Sequence, residues 1–187
     1  MKQRNLFIAV TAGGALGLLA SFMQSIEKIR LLKNADQALA CDLNSVFSCT
    51  HVLNAWQSSA FGFPNSFLCM VFFTIFMTVG LVGLTGAALS RYFRLAIQGL
   101  SLFVLGFGLW FLWQSTYVIG ALCLYCIFCM IGLITVNAAW LRINANDLPF
   151  SESAKKRLQA HITKGTDIFG WFLLAALIAL SMILEFR

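Results

Sequence analysis

Residues 95–141 read LAIQGLSLFVLGFGLWFLWQSTYVIGALCLYCIFCMIGLITVNAAWL and contain no Asp, Glu, Lys, Arg or His. A single helix of this length, rising about 1.5 Å per residue, would be about twice as long as a bilayer core is thick. The stretch must therefore turn back once. The polar cluster Gln114, Ser115 and Thr116, followed by Gly120, is the natural place for that turn. We predict two membrane-spanning helices here.

Three more apolar stretches are long enough to cross a bilayer, at residues 6–23, 67–90 and 168–186. The chain has 187 residues, of which 60% are hydrophobic and 11% are charged. Its mean hydropathy is +0.84, which excludes an ordinary soluble domain. We predict an all-α polytopic membrane protein, with a four-helix bundle plus a fifth transmembrane helix.

The basic residues predict the orientation, because loops on the cytoplasmic side carry the excess of Lys and Arg. With the N-terminus inside, the inner segments hold nine of the thirteen basic residues: Lys2, Arg4, Arg91, Arg94, Arg142, Lys155, Lys156, Arg157 and Lys164. The net charge of +6 is then explained by topology. No nucleic-acid partner is expected, and the partner of most of the surface is membrane lipid.

The outer loop, residues 24–66, begins with apolar residues at helical spacing opposite charged ones. The apolar positions are Ile26, Ile29, Leu32, Ala35 and Leu39, and the charged positions are Glu27, Lys28, Arg30 and Lys33. This pattern fits an amphipathic helix at the headgroup level or a simple extension of the first span. At the end of the loop, Asn65 or Ser66 can cap the second span.

The inner connector, residues 142–167, is the one stretch that looks soluble. Ser151 can cap a short helix there, and Gly165 can end it. Within the first span, Gly13 and Gly17 form a G-x-x-x-G pattern that favours close helix packing.

Four of the six cysteines are placed to meet at the outer face. Cys41 and Cys49 lie in the outer loop, and Cys123 and Cys126 lie near the start of the fourth span on the same side. A C-x-x-C at the start of a helix is typical of redox-active thiols, because the free N–H groups and the helix dipole stabilise a thiolate. A thiolate attacks only a disulfide that it can reach, and these four residues can reach one another.

The remaining cysteines, Cys69 and Cys129, are expected to be ordinary buried thiols. A zinc site using Cys49 and His51 is disfavoured, because the outer loop offers Cys41 alone as a further ligand. We predict no metal.

Electrons that are taken from thiols need an acceptor. The sequence has no Fe–S spacing, no dinucleotide Gly-rich turn and no haem motif. A membrane quinone, ubiquinone or menaquinone, is the acceptor that a helix bundle can hold. Asn65 and Ser66 at the mouth of the second span are the predicted polar contacts. The predicted aromatic walls are Phe67, Phe72, Phe73, Tyr125 and Phe128, and Phe72 and Tyr125 are the ones we select.

The order of these motifs resembles the vitamin K epoxide reductase family, in its bacterial disulfide-forming branch. The resemblance rests on Cys41-Asp42, a seven-residue gap to Cys49, Trp56, and the Asn65-Ser66 opening of the next helix, followed by the C-x-x-C of the fourth. It covers about residues 5–141. The DsbB type of thiol oxidase has its C-x-x-C first and the widely spaced pair later, which is the reverse order.

The resemblance implies a four-helix bundle around a quinone, with the outer loop as its lid. Cys41 would exchange with a thioredoxin-like (DsbA-type) periplasmic partner, and Cys49 would then attack Cys123. Cys126 would face the quinone, and Asn65 would donate a hydrogen bond to it. The family often has a Tyr at the position of Met130.

The resemblance also divides the chain. Residues 1–141 would form the catalytic transmembrane domain, residues 142–167 a cytoplasmic connector and residues 168–187 the fifth transmembrane helix. Many bacterial members carry a fused thioredoxin-like domain after that helix, so we expect the partner of this chain to act in trans. The expected location is the bacterial inner membrane, with the N-terminus cytoplasmic and the site periplasmic.

Three hypotheses remain open from the sequence. The first is a quinone-dependent thiol oxidase that generates disulfides. The second is a quinone epoxide reductase, which would use the same cysteines for a different end. The third is a non-enzymatic membrane assembly or redox-sensor protein whose disulfides are structural or regulatory.

Overall fold

The computed structural model describes residues 3–34, 37 and 39–187, so the predictions that concern Lys2 and Ala35 lie outside the described residues. Within them the fold is all-α. The helices are α1 (Gln3–Lys33), α2 (Cys49–Asn54), α3 (Asn65–Leu84), α4 (Arg91–Gln114), α5 (Leu124–Ile143), α6 (Glu152–Lys164) and α7 (Thr166–Glu185). Five of them are long and apolar enough to cross a membrane. The prediction of a polytopic all-α membrane protein is confirmed.

The first span is longer than residues 6–23, because α1 continues without a break to Lys33. The start of the outer loop is therefore an extension of this span and not a separate surface helix. Glu27 was expected on a polar face, but it is buried, with only 1% of its surface exposed. The prediction failed because the buried face of α1 continues through Gln24 and Glu27 to Leu31, which packs against the cysteine end of the bundle.

The chain turns between α4 and α5 where the polar cluster predicted it. A π-helical turn, Ser115–Ile119, ends at Gly120, whose φ of +70° is a left-handed conformation that favours glycine. The buried Ser115 hydroxyl donates a hydrogen bond of 2.5 Å to the carbonyl of Ala121 across the turn. This contact satisfies a buried polar group near the end of the span.

The start of α3 differs from the prediction, since neither Asn65 nor Ser66 caps it. The N-cap residue is Pro64, which makes no side-chain cap hydrogen bond. Asn65 is the first helical residue, and its Nδ2 donates to the carbonyl of Gln57 at 2.7 Å. The amide is thus used to hold the short 3₁₀ helix Trp56–Ser59 above the bundle.

The inner connector forms α6 as predicted, capped by Ser151, with Gly165 at a φ of +74° after its last turn. The Arg142 guanidinium, near the end of α5, donates to both carboxylate oxygens of Asp167 at 2.5 and 2.7 Å. This salt bridge ties the N-terminal end of α7 to the bundle. No residue of α7 is buried, so the bundle leaves much of the apolar surface of this helix uncovered.

The bundle is built around α1, which packs along α3 on one side and α5 on the other, while α4 packs against α5. Glycines allow the close approach on both sides of α1. A Cβ at Gly13 would lie 2.9 Å from the carbonyl oxygen of Gly132, and one at Gly17 would lie 2.1 Å from the ring of Phe73. The prediction that the G-x-x-x-G pattern serves helix packing is confirmed.

Gly17→Ala is expected to destabilise the protein by about 1–3 kcal/mol, because the new methyl group overlaps the buried Phe73 ring. Thermal unfolding of the purified protein in detergent measures the change. Gly170→Ala on α7 is the matched control, since a Cβ there meets no atom within 4 Å. Equal unfolding temperatures for the two variants would contradict the packing account.

Candidate functional site

Cys41, Cys49, Cys123 and Cys126 lie together at one end of the bundle, and each is buried. Cys41 and Cys49 form a disulfide, which we call the loop pair. Cys123 and Cys126 are free thiols at the start of α5, which we call the helix pair. The Sγ atoms of Cys49 and Cys123 are 3.4 Å apart. The two pairs are therefore in direct sulfur contact, at the separation of about 3–3.5 Å that is typical of reacting atoms held ready for attack.

A short backbone pairing sets this contact. Phe47 and Leu122 form an isolated parallel β-bridge, in which the Ser48 N–H donates to the Leu122 carbonyl at 3.1 Å. The Leu122 N–H donates in turn to the carbonyl of Val46 at 2.7 Å. Cys49 follows Ser48, the N-cap of α2, and Cys123 follows Leu122. The bridge therefore brings the two segments that carry the reacting sulfurs side by side.

Asp42 holds the loop closed around the disulfide. Its carboxylate accepts hydrogen bonds from the N–H and hydroxyl groups of Thr50 at 3.0 and 2.5 Å, from the Ser48 hydroxyl at 3.0 Å and from the Leu39 N–H at 3.3 Å. Burial alone would raise the pKa of Asp42. The hydrogen bonds from Thr50, Ser48 and Leu39 outweigh burial and hold that pKa below its ordinary value of 3.8.

Asp42→Ala is expected to speed reduction of the loop pair by a water-soluble phosphine at least about tenfold, because hydrogen bonds to a charged group are worth about 1.5–3 kcal/mol each. Wild-type protein should show the same acceleration in acid. Since the folded pKa is lowered, the stabilisation is present above the unfolded pKa and is lost as pH falls through the folded value, below 3.8. Ser45→Ala, an exposed change in the same loop, is the control. Equal rates for Asp42→Ala and wild type would contradict this role.

Cys123 occupies the N-cap position of α5. No hydrogen bond of standard geometry caps the helix there, but its sulfur lies close to the thiol of Cys126 and to the first N–H groups of the helix. The Cys126 thiol first, and then the backbone N–H groups of Cys126 and Tyr125, lower the pKa of Cys123 against the effect of burial. Cys123 is therefore suited to react as a thiolate with the neighbouring Cys49 sulfur.

Cys126 lies beside a narrow apolar cavity in the half of the bundle that carries the cysteine pairs. The cavity is lined by α1, α3, α4 and α5 and also contacts both other free thiols, Cys69 and Cys129. Its polar lining consists of Gln24, Ser58, Asn65 and Ser66. Gln24 Nε2 donates a hydrogen bond of 3.3 Å to the sulfur of Cys126. The site thus joins a reactive thiol to an apolar space with a few hydrogen-bonding groups.

Only some of the predicted quinone contacts line this cavity. Asn65, Ser66 and Phe73 line the cavity. Phe72 lines a neighbouring cavity between α3 and α4. Tyr125 does not line the cavity, and packs instead between the apolar cores of the bundle and of the cysteine end.

Sequence reasoning missed the contributions of α1 and α4. Gln24 was left out because the first span was ended at Met23, which placed this polar residue in the loop. A polar side chain in an apolar span was the signal that could have found it. Phe107 and Phe111 of α4 also line the cavity, but nothing in the α4 sequence distinguishes these two from the other aromatic residues.

The lining suits a quinone chemically, with aromatic walls and hydrogen-bond donors for the ring carbonyls. One N–H of Asn65 is bound to Gln57, but the second is available, and the buried Asn65 Oδ1 has no partner among the described residues. The cavity volume is about 50 Å³, and that of the neighbouring cavity is about 160 Å³. The two cavities lie side by side, because Asn65, Cys69, Val104 and Phe107 line both.

Comparison with known proteins agrees with this geometry. The model of the vitamin K epoxide reductase family matches residues 8–141, which include both cysteine pairs and all four helices of the bundle except the first residues of α1 and the last of α5. A search of curated proteins found no match to the chain. With the family match covering more than half of its length, this chain belongs to the vitamin K epoxide reductase family, an oxidoreductase family of quinone-linked redox proteins.

Proposed function

We propose that this protein is a quinone-dependent thiol oxidase that makes disulfides in a thioredoxin-like (DsbA-type) partner. The observation that carries the proposal is the 3.4 Å contact between Cys49 of the loop pair and Cys123 of the helix pair. A protein with purely structural disulfides has no need to hold a disulfide against a free C-x-x-C. The contact gives the two pairs a direct route for exchange.

The exchange transfers one disulfide to the partner and two electrons from the partner to the helix pair. The dithiol of the partner attacks Cys41, and two successive exchanges leave the partner oxidised and the loop pair as thiols. Cys49 then attacks Cys123 of an oxidised helix pair, so that the bond from Cys123 to Cys126 breaks and the electron pair stays on Cys126. Cys41 attacks Cys49 next, which restores the loop disulfide and releases the helix pair as two thiols. The observed pairing, with the loop pair oxidised and the helix pair reduced, is the one expected at this stage.

A quinone bound in the cavity would accept two electrons and two protons from the helix pair. Cys126 is the thiol of that pair which lines the cavity. The second N–H of Asn65 and the hydroxyl of Ser66 would orient the ring, since both residues are buried there. Phe107 would have to swing aside to make room for the ring, because its side chain lines both the narrow cavity and the neighbouring one.

The loop pair is closed to a partner in this conformation, because Cys41 is 2% exposed. We propose that Cys41 becomes accessible when the partner docks. Lys and Arg placement favours a cytoplasmic N-terminus. Both pairs, at the far end of α1, would then face the periplasm of a bacterial cell.

The test uses purified full-length protein in liposomes that contain ubiquinone or menaquinone, with a reduced thioredoxin-like protein outside. We expect one quinol and one partner disulfide to form for each turnover. A protein that consumes thiols only when a quinone epoxide is supplied would be the epoxide reductase instead. If the partner is not oxidised, quinone is not reduced and the disulfides never change on quinone depletion, only the structural role is left.

A further inference from the structure

Gln24 is a buried polar side chain whose role neither the family match nor the cysteine pattern explains. It lies on α1, is 6% exposed, and reaches Cys126 on α5 with a 3.3 Å hydrogen bond from Nε2 to Sγ. We propose that Gln24 is a catalytic residue of the thiol exchange, which stabilises negative charge on the sulfur of Cys126. This inference rests on the function proposed above.

The direction of the hydrogen bond supports the proposal. An amide N–H can only donate, and a thiol sulfur is a weak acceptor. A thiolate is a far better acceptor, because charge-assisted hydrogen bonds are about twice as strong as neutral ones. The Gln24 contact therefore gains strength when Cys126 loses its proton or leaves as a thiolate.

The surroundings of Cys126 provide little other stabilisation for a charge. No Lys, Arg or His lines the cavity among the described residues. The Ser58 hydroxyl donates to the carbonyls of Leu53 and Ala55, so its proton is already used. Asn65 and Ser66 also line the cavity, but the hydrogen bond to the Cys126 sulfur comes from Gln24. The start of α5 is a further favourable element, since Cys126 lies in its first turn.

The exchange places charge on this sulfur at one step. When Cys49 attacks Cys123, the bond between Cys123 and Cys126 breaks, and Cys126 keeps the electron pair. A bare thiolate in an apolar cavity is costly, whereas one that accepts a hydrogen bond is less so. Gln24 is already aligned for that moment, because the reduced helix pair seen here holds the contact.

The experiment compares Gln24→Met with Gln24 in a Cys69→Ser, Cys123→Ala, Cys129→Ser background. Cys126 is then the single thiol outside the loop disulfide, and its reaction with a membrane-permeable alkylating reagent is followed by mass spectrometry. Met keeps the length of Gln and removes the donor. We expect alkylation at a fixed pH to be about tenfold slower with Met, which is the loss of one hydrogen bond to a charged group.

Gln24→Asn is the second variant, because it stays polar and small but is too short to hold the contact, and it should slow alkylation similarly. Gln98→Met is the control, since Gln98 is also buried and accepts from Asn144 at 2.9 Å, away from the cysteines. Wild-type rates in either Gln24 variant, or an equal slowing in the control, would overturn the proposal. Neither partner nor quinone takes part, so this result is independent of whether the protein oxidises thiols.

Discussion

Cys126→Ser is expected to reduce electron transfer from partner thiols to quinone by about 10³-fold or more, as replacement of a reacting group commonly does. Serine cannot form the disulfide with Cys123 that carries two electrons to the cavity. Quinol formation in liposomes measures the loss. We call the path from the loop pair through the helix pair to the quinone the relay. Cys126 is the thiol between Cys123 and the cavity, so no other residue of the relay can take its place.

Cys41→Ser, Cys49→Ser and Cys123→Ser should each give a loss of the same size, since every exchange needs both sulfurs of a pair. The matched controls are Cys69→Ser and Cys129→Ser, which line the same cavity but are not needed for the relay. They should keep most of the activity. A Cys126→Ser protein that reduced quinone at a near-normal rate would contradict the relay.

The double variant Cys41→Ser, Cys126→Ser should form a disulfide between Cys49 and Cys123 in nearly all molecules under mild oxidation. Each remaining sulfur has lost its ordinary partner, and the two lie 3.4 Å apart, so a small shift reaches the bonded distance of about 2.05 Å. Mapping of the cross-linked peptides by mass spectrometry without reduction detects the bond.

Its matched control is Cys41→Ser, Cys123→Ser, which leaves Cys49 with Cys126. The sulfur of Cys126 is held by Gln24 beside the cavity, so we expect little cross-linking there. Comparable cross-linking in both double variants would mean that the contact between Cys49 and Cys123 is not specific.

The sequence predicted the membrane-spanning helices well, because the absence of charge over tens of residues has few physical solutions in a bilayer. The turn at Gly120 and the helix between Ser151 and Gly165 follow from local chemistry in the same way. These features depend on neighbours along the chain, and so a single sequence suffices to find them.

The features that sequence reasoning missed depend on neighbours in space. Asn65 looked like a helix cap, but the carbonyl of Gln57 claims its amide once the 3₁₀ helix folds over the bundle. Glu27 looked solvated until the bundle covered that face of α1. The rotation of α5, which turns Cys126 but not Tyr125 to the cavity, is set by packing that no local pattern encodes.

The cysteine end of the bundle depends both on neighbours along the chain and on neighbours in space. The spacing of the pairs predicted that they can meet, whereas their contact depends on the bridge between Phe47 and Leu122. That bridge joins residues 75 positions apart, and neither flanking segment has the alternating pattern of a strand.

The most direct test of the account follows the order in which disulfides form. Fully reduced protein receives one equivalent of quinone without oxygen, and its disulfides are mapped by mass spectrometry over time. The account predicts that the bond between Cys123 and Cys126 appears first and then passes to Cys41 and Cys49. Oxidation of the loop pair by quinone in Cys126→Ser protein would contradict it, because the loop pair would then reach quinone without the helix pair.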